Sequence, residues 1–149
     1  MFIFNKISLV VFLTVMASAE GSAQNTCQSQ PGQAAIEYRV RGGLTGAVKE
    51  WAIYPNGIVC CSMKYKGKMT AASISRIQEE ARKTGFFNLE KSYKDQDLAV
   101  KCYQCNFYRL TIHDGDLAMS VETHDGAKRT PPELWKIMSR VQHELQKLP

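Results

Sequence analysis

Three glycines in five residues, Gly42, Gly43 and Gly46, stand between two segments that both read as strands. Upstream, Ile36, Tyr38 and Val40 alternate with Glu37, Arg39 and Arg41, the period-two pattern of a strand with one buried face. Downstream, Val48 to Tyr54 continues as a second strand, with an alternation that Lys49 and Glu50 make imperfect. So short a link between two strands implies an antiparallel pair. Glycine reaches backbone angles closed to other residues and admits close approach of another chain, so the loop suits either a bulged hairpin connection or a contact surface. Leu44 is the only large apolar side chain within it.

The remaining punctuation extends the pair into a meander. Pro55-Asn56-Gly57 closes a tight hairpin, because Asn-Gly supplies the positive backbone angles such turns need. A third strand is predicted from Ile58 to about Tyr65, ending at Lys66-Gly67-Lys68. Thr70 caps a helix over residues 71–84 whose Ile74, Ile77 and Ala81 share a face, and Gly85 stops it. Phe86, Phe87 and Leu89 then pack the helix end on the sheet. Residues 90–100 read as a polar connection, with too few carboxylates around Asp95 and Asp97 for a calcium site. A long strand from Cys102 to His113, a turn at Asp114-Gly115 and a return strand from Leu117 follow. Thr130-Pro131-Pro132-Glu133 has the form of a capping box opening a last helix, with Leu134, Ile137, Met138, Val141, Leu145 and Leu148 along one stripe. The expectation is an α+β domain: an antiparallel sheet of about five strands with two helices on one face, in the order β-β-β-α-β-β-α.

The start of the chain reads as an export signal. Lys6 precedes an apolar run from Ile7 to Val15, followed by Ala17-Ser18-Ala19 and by Gly21-Ser22-Ala23, each of small-x-small form. Residues 1–23 are thus expected to be a signal peptide, with cleavage after Ala19 or Ala23, and residues 24–33 a flexible polar lead-in. Residues 34–149 form a single domain. The apolar run is shorter than the roughly 20 residues a membrane helix needs, so the expectation is a periplasmic or secreted protein without stable membrane insertion. The formal charge of +5 is spread along the chain with acids interleaved, which argues against a nucleic-acid partner.

Five cysteines in an exported chain imply disulfides. Cys60 and Cys61 are adjacent on a predicted strand, and Cys102 and Cys105 lie three apart on another, so each pair presents a thiol on each sheet face. Bridging these four, one bridge per face, leaves Cys27 free. The Cys102-x-x-Cys105 spacing also admits a thiol-redox centre, but it lacks the helix start that lowers a thiol pKa.

The catalytic inventory is thin. His113, His124 and His143 have no shared metal-ligand spacing, and His143-Glu144 lacks the second histidine of a zinc-protease motif. No nucleophile elbow or phosphate-cradling loop occurs. The expectation is a non-enzyme without cofactor or metal.

Taken in order, the Gly42-Gly43-Leu44-x-Gly46 loop, Gly85-Phe86-Phe87-Asn88-Leu89, the strand Phe107–Ile112, Asp125-Gly126-Ala127 and Pro132-Glu133-Leu134 resemble the emfourin family of protealysin inhibitors. The resemblance covers about residues 36–148; the export signal, the cysteines and the hairpin from Pro55 to Lys68 depart from the family pattern. It implies a small α+β inhibitor that blocks the active-site cleft of a thermolysin-like zinc metalloprotease, secreted or in the envelope, and does no chemistry itself. A glycine-rich loop presenting one apolar side chain suits such a cleft. The contact residues expected are Gly42, Gly43, Leu44, Thr45 and Gly46, with Leu44 as anchor. The reading from another class is a non-enzymatic protein-interaction module of the envelope.

Overall fold

A computed structural model describes residues 27, 28, 30, 32–42, 45–94 and 104–149. The expected signal peptide, the residues Gly43 and Leu44, the connection around Asp95 and Asp97, and Cys102 lie outside the described residues.

Six antiparallel strands make one sheet: β1 (Ile36–Gly42), β2 (Ala47–Ile53), β3 (Ile58–Cys61), β4 (Lys64–Lys68), β5 (Asn106–Asp114) and β6 (Leu117–His124). Their spatial order is β4-β3-β2-β1-β5-β6, so the first strand of the domain occupies the interior. Strand β1 pairs along its whole length on both sides, Ile36 facing Ile53 and Ile112, Tyr38 facing Trp51 and Leu110, and Gly42 facing Ala47 and Asn106.

Because side chains alternate across a strand, this register gathers Ile36, Ile53, Val59, Leu110, Ile112 and Val121 on one face. Helices α1 (Ala71–Lys83) and α2 (Pro132–Gln146) cover that face. Ile74, Ile77 and Ala81 of α1 and Leu134, Ile137, Met138, Val141 and Leu145 of α2 join the strand residues in one buried core. Each fully buried aliphatic side chain contributes about 1.5–3 kcal/mol over an exposed one, so this layer supplies most of the driving force. The opposite face carries the charged half of each alternation.

The α+β class and the helix positions agree with the sequence, and Thr70 caps α1 by accepting from the Ser73 N–H at 3.1 Å. Three local expectations are corrected. The third strand does not run unbroken to Tyr65: Ser62 and Met63 adopt left-handed φ of 47° and 66°, turning the chain back as β4 and raising the strand count to six. Strand β5 begins at Asn106, not Cys102, and Gln104 and Cys105 lie outside any strand. Thr130 does not cap α2; Pro131 holds the cap position without a side-chain bond, while the Thr130 hydroxyl meets that of Thr123.

The disulfides also differ. Cys27 is joined to Cys60, 33 residues away, and Cys61 is a free, partly buried thiol. Cys105 is disulfide-bonded as well. The expected inter-strand pairing assumed that the strands carrying the cysteine pairs are neighbours, but β2 and β1 stand between β3 and β5. Cys60 instead takes a partner from the lead-in, where Cys27 is only 3% exposed and Gln30 accepts from the Asn56 amide at 2.8 Å. The lead-in is therefore anchored at both residues.

Strand β4 forms one border of the sheet and carries Lys64, Lys66 and Lys68, all exposed and none in an ion pair among the described residues. Edge lysines of this kind oppose pairing with foreign strands.

Closing a loop of this length lowers the entropy of the unfolded chain by an amount equivalent to about 3–4 kcal/mol. Reduction of Cys27–Cys60, or Cys27→Ser, is expected to lower unfolding stability by about that much in urea titrations. Peptide mapping of the alkylated native protein should find Cys61 modified and Cys27 protected.

Candidate binding loop

The C-terminal end of β1, the N-terminal ends of β2 and β5 and the C-terminal end of β6 meet at one end of the sheet. The glycine loop therefore leaves from the middle of a four-strand surface, with a paired strand on each side of its first stem. Gly42 fits there because a Cβ would lie 2.4 Å from the Cys105 carbonyl oxygen and 2.7 Å from the Asn106 Cα. Any side chain would push β1 and β5 apart. Gly46 has a different requirement: it has open space around it but a φ of 60°, a conformation that costs other residues roughly 1 kcal/mol or more. Thr45 and Gly46 are exposed.

Beneath the loop, Asp125 clamps Asn106. One carboxylate oxygen of Asp125 accepts from both the backbone N–H and the side-chain amide of Asn106, each at 3.0 Å, and the Asp125 N–H donates to the Asn106 carbonyl at 3.0 Å. The buried His124 ring lies 2.7 Å from the Asp125 carbonyl through Nδ1 and 5.6 Å from the Phe107 ring. On the helix-covered side, Tyr108 stacks on Tyr38 at 6.5 Å between centroids and meets Trp135 edge-on at 5.4 Å. Burial, reinforced by the hydrogen bond to Asp125, pushes the Tyr108 hydroxyl up to about 12. Burial likewise raises the Tyr38 hydroxyl, opposed by the hydrogen bond it accepts from the Gln142 amide. Both phenols are hydrogen-bonded, and this aromatic layer supports the sheet beneath the loop.

Of the expected contact residues, the structure places Gly42, Thr45 and Gly46 at this end; Gly43 and Leu44 lie between them, outside the described residues. The disulfide candidates are not brought together: Cys60 and Cys61 belong to β3, whereas Cys105 precedes β5 beside the loop. Among the described residues no three His, Cys, Asp or Glu side chains gather as metal ligands, and no helix is long and apolar enough to cross a membrane. The Asp125–Asn106 clamp escaped sequence reading, although Asp125-Gly126 was legible as a turn. An aspartate whose partner lies 19 residues upstream leaves no periodic signal.

No family model matches the chain, and no curated protein is found to be similar to it. Fold and loop together define an α+β domain that presents a braced glycine loop at one end of its sheet.

Two measurements follow from this geometry. Gly42→Ala is expected to destabilise the fold by about 1–3 kcal/mol through overpacking, read as a lowered urea midpoint. At the β5–β6 pair, burial raises the Glu122 carboxyl, but bonds from Lys94 and Arg109 outweigh it and hold the group below its ordinary value. A depressed carboxyl contributes stability above its unfolded value, and that contribution is lost as pH falls through the folded one. Wild type should therefore lose stability below about pH 4.3, and Glu122→Gln should flatten that slope in urea midpoints taken across the acid range.

Proposed function

We propose that this protein is an exported inhibitor of thermolysin-like zinc metalloproteases, and that the loop at Gly42–Gly46 enters the active-site cleft. The observation that carries the reading is the bracing of the loop: its first stem pairs on both sides, and the Asp125–Asn106 clamp fixes the strand beside it. Stems already fixed lose little conformational freedom on binding, which is where rigid inhibitors gain affinity. The glycines let main chain approach main chain, and Leu44 supplies the apolar side chain that such clefts accept. The resemblance to the emfourin family, which includes this Gly-Gly-Leu-x-Gly segment, supports the inhibitor class. Export fits the apolar N-terminal run and a disulfide that persists only in an oxidising compartment.

The test is residual activity of a thermolysin-like protease titrated with the oxidised protein from residue 24 onward. Stoichiometric loss of activity is expected. Leu44→Asp, which removes an anchor worth 2 kcal/mol or more at a hot spot, should raise the inhibition constant by roughly 30-fold or more. Undiminished protease activity at equimolar protein across several such enzymes would refute inhibition and leave a protein-interaction module of the envelope. Equal inhibition by the variant would move the contact surface away from this loop.

A further inference from the structure

The sheet face opposite the helices holds a shallow concavity of about 220 Å3. Its middle is low because Ala52 and Thr111 are short beside longer neighbours, and Tyr54 and Met63 stand along one side near Cys60. Met63 is 59% exposed, so this side offers apolar surface to solvent.

The other side is charged in a definite order. Arg39 of β1 and Arg109 of β5 are direct cross-strand partners, a like-charge pairing that is unfavourable by itself. Each is offset from outside: Glu50 faces Arg39 at 3.0 Å, and Glu122 accepts from the Arg109 Nε at 2.6 Å. A guanidinium has five N–H donors; Arg39 meets Glu50 through Nε and Arg109 meets Glu122 through Nε and one terminal nitrogen, which leaves further donors on each. Two half-exposed forks with spare donors, side by side, match one carboxylate. Two residues along β1, about 7 Å away by strand geometry, Glu37 lines the same concavity and has no ion-pair partner among the described residues. The lining is therefore balanced: two guanidinia, two carboxylates and an apolar wall. A net anion meets repulsion from Glu37, whereas a dipolar molecule meets a partner at each end.

We propose that this concavity binds a small zwitterion with an apolar side chain, of the apolar α-amino acid class: carboxylate on Arg39 and Arg109, ammonium toward Glu37, side chain over Ala52 against Met63 and Tyr54. The volume lies below the range of drug-sized pockets, which limits the ligand to a molecule of this size. The site is separate from the glycine loop and does not rest on protease inhibition.

Amide chemical-shift titration of the isotope-labelled, oxidised protein with L-leucine tests it, with L-leucinamide and N-acetyl-L-leucine as probes lacking one charge each. Saturable shifts at Glu37–Arg39, Ala52 and Arg109–Thr111 are expected for leucine. Each blocked probe should bind about tenfold more weakly, the loss of one charged hydrogen bond. Arg109→Gln should weaken leucine by a similar factor; Glu37→Gln should weaken leucine but strengthen N-acetyl-leucine, whose net negative charge no longer meets that carboxylate. A dispersed spectrum identifies each variant as folded. Absence of saturation with leucine, equal binding of leucine and either blocked probe, or folded variants that bind leucine like wild type would overturn the proposal.

Discussion

Everything in this domain hangs on β1 being paired along both of its edges. A strand with two partners over seven residues has its backbone N–H and C=O groups satisfied by neighbours on both sides, and its side-chain alternation then dictates theirs. Ile36 and Tyr38 fix which residues of β2 and β5 face the helices, and through β5 which residues of β6 do. A slip of one residue would bury Glu37 and Arg39 and expose Ile36 and Tyr38. The same interior position brings the glycine loop out of the middle of the sheet and keeps the two cysteine-bearing regions two strands apart.

What sequence could reveal follows from the range of the interactions concerned. The helices, the Asp114-Gly115 hairpin and the buried stripe were legible because each is written within one or two turns of local pattern. The break at Ser62-Met63 was not, since neither residue favours left-handed angles, and pairing of β4 back onto β3 imposes them. Thr130 has the right residue type for a cap, yet its hydroxyl is taken by Thr123 across the turn, a tertiary contact with no local sign. The cysteine pairing failed for a topological reason: alternation tells which face a thiol occupies but not which strand is adjacent.

The candidate site divides in the same way. The three glycines announced a shaped loop, and Gly42 turned out to be required by the approach of the Cys105–Asn106 backbone, which no count of glycines specifies. The charge row Glu50-Arg39-Arg109-Glu122 lay open in the alternation of four strands, but it becomes a row only once the order β2-β1-β5-β6 is known. Individually these residues look like ordinary solvent-facing positions. Topology turns them into a surface with adjacent cations at its centre and carboxylates outside.

The border formed by β4 has a symmetry of its own. In an antiparallel pairing of two copies centred on Lys66, Lys66 meets its own image, and Lys64 of one copy meets Lys68 of the other. Every lysine of one copy then faces a lysine of the other, and only Tyr65 against Gly67 is uncharged. The strand is short, exposed and hydrogen-bonded on one edge only, yet the partner it is best shaped to meet, itself, is the one its charges turn away. The register shift that leaves Lys66 without a partner on β3 adds to the charges in keeping this border from self-templating.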